Sequence, residues 1–252
     1  MSIMNILEKK AKQVYYSLYF ISFFLLLQFI LVNSVNLRIL NSYDSIIHII
    51  IQGNGTQELL SNDFNTEPDE VLINGAGNNS CKNVCNMTEE KNNITLIFKN
   101  QIDSLENMFK GLNNIIEVNL SNFDTSYVTT MSSMFMGCYN LLSVYLSNYN
   151  TYNLVNISHM FENCLSLDSI NFGNINTSIV ENMEYLFANC TKLESINLSK
   201  FDTSKVSTMS SMFYRCLNFE SINLDKSSAA ATWYGRPCRR QKHLRLREFR
   251  WK

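Results

Sequence analysis

Seven cysteines and three histidines are the residues of this chain whose side chains most often act as nucleophiles or metal ligands. Four of the cysteines follow one another at one constant step of twenty-six positions: Cys138, Cys164, Cys190 and Cys216. A constant step brings equivalent side chains into one column if successive segments stack. The histidines at 48, 159 and 243 do not share this step, so the column predicts buried thiols rather than a metal site.

The cysteines belong to a longer repeat in which other columns keep the same step. The stretch "FDTSYVTTMSSMFMGC" at 123–138 returns as "FDTSKVSTMSSMFYRC" at 201–216. The phenylalanine column is Phe109, Phe135, Phe161, Phe187 and Phe213, and the threonine column is Thr125, Thr151, Thr177 and Thr203. A fixed period of this length is typical of a solenoid, in which each unit covers the apolar face of the next.

The sequence pattern of each unit predicts a strand, a turn and a helical return, which together position these columns. Leu141, Val144 and Leu146 end in strict alternation, which indicates a short strand. An Asn/Asp-Thr-Ser turn follows. Apolar residues such as Met131 and Phe135 then recur at three- and four-residue steps, which predicts a short helical return. We therefore predict an α/β solenoid with a parallel sheet on one side and short helical returns.

The pattern M-F-x-x-C-x-x-L-x-x-I-x-L-S-x-F-D-T-S-x-V resembles the BspA-like leucine-rich repeat surface proteins. The resemblance covers 94–226, as one partial, four full and one truncated unit. It implies a right-handed leucine-rich-repeat-like coil, a surface or secreted location, and adhesion or recognition without catalytic residues. Ile175, Asn176 and Leu186 depart from the pattern, and we expect these substitutions to leave the fold intact.

The N-terminal segment 1–34 carries Lys9, Lys10 and Lys12 before a mainly apolar run at 14–32 that no charged residue interrupts. A run of this length predicts a hydrophobic helix, either as a cleaved signal peptide or as an uncleaved signal anchor in the membrane. Both interpretations place the rest of the chain outside the cytosol, at the cell surface or in the extracellular space. We predict that 35–93, with strand-like "IIHIIIQGNG" and "VLING", forms a small β-rich cap on the first coil.

Two features of the cap fit an extracellular location. Cys81 and Cys85 lie in a polar loop, where a local disulfide is one interpretation and half of a zinc site is the other. Sequons are frequent in this Asn-rich chain, and those in the flank are the candidate glycosylation sites: Asn54, Asn78, Asn86 and Asn93.

The tail at 227–252 differs in composition from everything before it. It holds eight of the 21 Lys and Arg but one acidic residue, Glu248, so the preceding body is acidic and nucleic acid is not a predicted partner. The change is typical of a frameshift, a read-through or a misjoined exon. A basic arm for acidic polymers or lipid head groups, and a solvated tail, are the alternatives.

Nothing in the chain has the spacing of a catalytic or cofactor site. Asp124 and Asp202 share their column with Asn150 and Asn176, which indicates a turn former rather than a catalytic carboxylate. The outward positions of the predicted sheet instead form a polar ladder. Its candidate ligand-binding residues are Glu117, Asn119, Ser143, Tyr145, Asp168, Asn171, Glu194 and Asn197.

The sequence thus predicts a non-enzymatic protein that binds a protein or a glycan at the cell surface and needs no cofactor or metal. A structural coat component that self-associates is the alternative. A secreted hydrolase is a third hypothesis, which the missing catalytic constellation disfavours.

Overall fold

The computed structural model describes residues 44–78, 80–146 and 150–223, and the predicted leader 1–34 and tail 227–252 lie outside them. Strands and turns make up the described chain. The strands are β1 Ser45–Gln52, β2 Gly55–Glu58, β3 Glu70–Ile73, β4 Ala76–Gly77, β5 Val84–Met87, β6 Lys91–Phe98, β7 Ile115–Asn122, β8 Ser143–Tyr145, β9 Ser169–Asn171, β10 Ser195–Asn197 and β11 Ser221–Asn223.

One seven-stranded sheet joins the cap to the repeats in the order β4-β3-β6-β1-β7-β8-β9. The repeat strands β7, β8 and β9 pair in parallel in a register shifted by one repeat, as the sequence predicts. The first unit differs, because β1 inserts between β6 and β7 and pairs antiparallel with both. The sheet is therefore mixed, and Ile94–Phe98 of the partial unit contact the cap strand instead of the next coil.

The predicted helical returns are wrong, since the described residues contain turns at these positions and no helix. Alternate backbone N–H groups of each return donate to the next coil instead of to their own. Phe109 N–H donates to Met134 O at 2.9 Å, and Phe135 N–H donates to Met160 O at 2.9 Å. Remaining N–H groups bond three residues back, as Leu112 N–H does to Phe109 O at 3.2 Å. All these groups are paired without an α-helix.

Left-handed residues at regular places make this return possible. Ser133, His159 and Tyr185 have φ of 56°, 58° and 54°. Their own N–H groups donate to the neighbouring coil, and the next N–H bonds back within its own coil, as Met134 N–H does to Met131 O at 3.3 Å. A second left-handed position lies four residues later in each coil. It is held by Gly111, Gly137, Asn163, Asn189 and Arg215.

The phenylalanine column forms the centre of the core. Neighbouring rings stack nearly parallel, with centroids 5.5 Å apart for Phe109 and Phe135 and 5.3 Å apart for Phe135 and Phe161. Phe187 and Phe213 continue the stack at 5.8 and 5.3 Å. Since Phe109, Phe135, Phe161 and Phe187 are fully buried, each coil covers the aromatic face of its neighbour.

The threonine column links the turns of successive coils by hydrogen bonds. Thr151 Oγ1 donates to Asn176 O at 2.9 Å and accepts from Asn176 N–H at 2.7 Å. Thr177 makes the same two bonds to Asp202. These side chains are buried, so the column satisfies backbone groups of the next coil that water cannot reach.

Candidate ligand-binding face

The strand register places five of the eight predicted binding residues in two rows on the solvent side of the sheet. One row runs Thr95, His48, Asn119, Tyr145 and Asn171, across β6, β1, β7, β8 and β9. The second row runs Asn93, Ile50, Glu117, Ser143 and Ser169 across the same strands. We call these two rows the outer face.

The sequence missed the contribution of the cap to the outer face. His48 is exposed on β1, and its Nδ1 lies 3.0 Å from Thr95 Oγ1. Partial burial in the sheet lowers the pKa of the His48 imidazole, which favours its neutral form. Alternation within "IIHIII" indicates a strand with His48 outward, but nothing in the sequence places that strand beside β7.

The asparagines of the outer face are partly committed to structure. Asn119 Oδ1 accepts the Ser121 N–H at 2.9 Å, and Asn171 Oδ1 accepts the Gly173 N–H at 2.9 Å. Asn197 caps Ser199 in the same way at 3.1 Å. These are turns in which Asn bonds the backbone two residues on. The carboxamide oxygens therefore hold the chain, and the Nδ2 groups of these side chains are the donors left for a ligand.

Some of the remaining predicted residues lie within the strands, and others lie just before a strand begins. Ser143 Oγ donates to Glu117 Oε2 at 3.3 Å, which places these two side chains together. Tyr145 is 38% exposed between Asn119 and Asn171. Asp168 and Glu194 are exposed and stand one residue before β9 and β10, outside the two rows, and we call these two carboxylates the acidic edge.

The last two predicted positions lie beyond a break in the sheet. β10 and β11 form a separate two-stranded parallel sheet, with Ser195, Ile196 and Asn197 opposite Ser221, Ile222 and Asn223. Glu194 and Asn197 are thus not joined to Asp168 and Asn171 by strand pairing. Sequence periodicity predicted one continuous ladder here.

The repeat cysteines are structural in this arrangement. Each thiol donates to the phenylalanine carbonyl of the preceding coil, as Cys138 Sγ does to Phe109 O at 3.0 Å. Burial raises the pKa of Cys138 and Cys216 to about 12 and that of Cys164 and Cys190 well above its ordinary value. Such thiols stay protonated at neutral pH and are poor nucleophiles and metal ligands.

The cap cysteines are joined to each other. Cys81 and Cys85 form a disulfide whose Cα atoms lie 5.2 Å apart. The bond closes a loop that leads into β5 of the strand pair β2–β5. Among the described residues, no group of histidines, cysteines and carboxylates is arranged to hold a metal ion.

The flank sequons occupy different surfaces. Asn54 and Asn86 are exposed on the β2–β5 ribbon, and Asn78 is half-buried beside β4. Asn93 is exposed at the end of the second row, next to Ile50. A glycan on Asn93 would therefore stand on the outer face, whereas one on Asn86 would not.

Apolar side chains are exposed at the corner that precedes the repeat strands. Tyr139 and Leu165 hold equivalent positions in adjacent coils, which the bond from Ser166 N–H to Tyr139 O at 3.1 Å brings together. Leu142 is exposed beside them at the start of β8. We call these three residues the apolar corner.

Comparison with known proteins finds one family. The model of the family described as "Mycoplasma protein of unknown function, DUF285" matches residues 79–172 and again 142–232, which together exceed half of the chain. No curated protein and no solved structure matches. The described residues include no helix of the length and apolarity that a membrane span requires.

Proposed function

The chain belongs to the family described as Mycoplasma protein of unknown function, DUF285, and from that premise we propose that it is a non-enzymatic, surface-exposed or secreted recognition protein. It binds protein or glycan partners through the outer face. Its repeats serve as a rigid support, since stacked coils hold the outward side chains at fixed spacing.

The observation that carries this proposal is the continuity of the outer face over five paired strands. Tyr145, on the fourth of these strands, lies between Asn119 and Asn171, with Glu117 and Ser143 in the next row. Outward Nδ2 groups, hydroxyls and a carboxylate offer donors and acceptors at the strand spacing of about 4.8 Å. Hydroxyl-rich glycans and extended peptides both match such a surface.

An extracellular setting is part of the proposal. The Cys81–Cys85 disulfide supports it, because disulfides persist in oxidising compartments. The acidic edge of Asp168 and Glu194 argues against a nucleic acid partner, since phosphates would be repelled there. The hydrophobic leader that would direct secretion or anchor the chain lies outside the described residues.

The experiment is binding of the purified ectodomain on beads to intact cells and to a glycan array. Tyr145→Ala removes the exposed tyrosine of the outer face, and we expect it to weaken binding at least tenfold. Tyr152→Ala is the matched control, since Tyr152 is 67% exposed and follows the strand turn, off the outer face. Equal binding by both variants would contradict the proposal.

Self-association in a coat is a second candidate, favoured by the apolar corner. Tyr139, Leu142 and Leu165 are exposed on adjacent coils and suit contact with another apolar surface. Sedimentation of the ectodomain over a range of concentrations separates the two functions. A coat component forms oligomers that Leu142→Ser disrupts, whereas a recognition protein stays monomeric and retains cell binding.

A further inference from the structure

The break between β9 and β10 leaves backbone groups without their usual partners. In neighbouring coils, Leu146 N–H donates to Asn171 O at 2.7 Å and Leu198 N–H donates to Asn223 O at 2.8 Å. The equivalent bond, from Phe172 N–H to Asn197 O, is missing between these described residues. The Phe172 N–H and the Asn197 carbonyl therefore lack the ladder bond that the equivalent groups of the neighbouring described coils make.

A pair of exchanged side chains accounts for the gap. Phe172 stands in the column of Leu120, Leu146 and Leu198, and Ile175 stands where other coils have Phe123 and Phe201. The Phe172 ring meets Phe201 edge-on at 4.9 Å and also lies against Phe161 and Phe187. A ring in a leucine position overfills the space between coils, so the two strands separate.

The separation opens a cleft of about 220 Å³ toward solvent. Ile170 and Phe172 provide an apolar wall, and Asn171, Asn197 and Lys200 provide polar groups. A cleft of this size has room for several water molecules or for one sugar ring. Apolar walls with few convergent polar groups are typical of small-ligand sites.

We infer that this cleft binds a single acidic sugar residue, such as a hexuronate at the end of a glycan. Sugar hydroxyls both donate and accept, so they complement the Phe172 N–H and the Asn197 carbonyl. Lys200 is the charged residue of the lining, and its Nζ is held by Asn174 Oδ1 at 2.6 Å, where it suits a carboxylate. This inference rests on glycan recognition by the protein and assigns it a subsite.

The test uses the ectodomain and two probes that differ in one group, methyl glucuronide and methyl glucoside, followed by NMR titration of backbone amides. We expect the glucuronide to shift the amides of Phe172 and Asn197 and to bind about tenfold more tightly than the glucoside. Lys200→Met should abolish that preference. Lys205→Met, in the exposed turn that follows, is the matched control and should retain it.

A second variant tests the cleft itself. Phe172→Leu/Ile175→Phe restores the side-chain pair of the neighbouring coil, and we expect it to close the ladder and to bind neither sugar. Equal affinity for both probes in the native protein, or a preference that survives Lys200→Met, would overturn the inference. Loss of cell binding in Tyr145→Ala with no sugar response at the cleft would reject the subsite alone and leave recognition by the outer face standing.

Discussion

Single side chains in this solenoid act across coils rather than within one. Thr151 and Thr203 occupy the same column and are both buried, but their hydrogen bonding differs. Thr151 Oγ1 serves both the N–H and the carbonyl of Asn176, while Thr203 Oγ1 has no hydrogen-bond partner within the described part of the chain. Thr203 can therefore serve as a control for substitutions of Thr151.

Thr151→Val removes a hydroxyl that bonds two backbone groups. The N–H and the carbonyl of Asn176 then lose these hydrogen bonds inside the protein. We expect the free energy of unfolding to fall by about 1–3 kcal/mol. Thr203→Val replaces a buried hydroxyl that has no hydrogen-bond partner among the described residues, and it should be neutral or stabilising. Urea denaturation of both variants gives the comparison, and a loss in Thr203→Val as large as in Thr151→Val would refute this account.

The returns show what element-level patterns can and cannot predict. Apolar residues at three- and four-residue steps indicate that one side of the segment is buried, and Met131, Met134 and Phe135 are indeed buried. A segment of repeated turns gives the same three- and four-residue steps, because it also buries one of its sides and exposes the other. Backbone hydrogen bonding decides between a helix and a series of turns. Half of these bonds are made to the next coil, and the apolar pattern of a single return carries no information about that coil.

The left-handed positions of the returns give a prediction at this scale. Gly137 has φ +77° in a column where Asn163 and Asn189 also adopt left-handed backbone. Gly137→Asn should therefore cost little. Gly137→Val should lower stability by about 1–2 kcal/mol, because a β-branched side chain is disfavoured at positive φ. A helical return would instead favour Asn and Val alike over Gly, so thermal melts of the two variants discriminate.

The register of the repeat strands could be predicted from the sequence, whereas the insertion of β1 and the break after β9 could not. A shift of one repeat fixes which side chains pair on β7, β8 and β9, so the pairing of Glu117 with Ser143 follows from the sequence. The insertion of β1 depends on the path of the cap, which no repeat encodes. The break at β9 has a visible signal, the exchange of Phe172 and Ile175, but its effect depends on packing against Phe187 and Phe201.

The described part of the chain is a stack of coils whose cohesion differs from one interface to the next. The seven-stranded sheet connects the cap to β9, whereas β10 and β11 are tied to it by the return ladder, as in Phe161 N–H to Leu186 O at 3.0 Å. Solenoids unfold by losing interfaces between neighbours, and the weakest interface opens first. The break is that interface, since it lacks strand pairing.

We therefore expect the coils after the break to exchange their amide hydrogens before those ahead of it. Peptides covering 195–223 should lose protection in hydrogen-exchange mass spectrometry at a lower denaturant concentration than peptides covering 115–146. Phe172→Leu/Ile175→Phe should bring the two transitions together, because a restored ladder couples the last coils to the sheet. Coincident transitions in the native protein would contradict this prediction and would mean that the return ladder and the aromatic stack through Phe187 bind the coils as tightly as paired strands do.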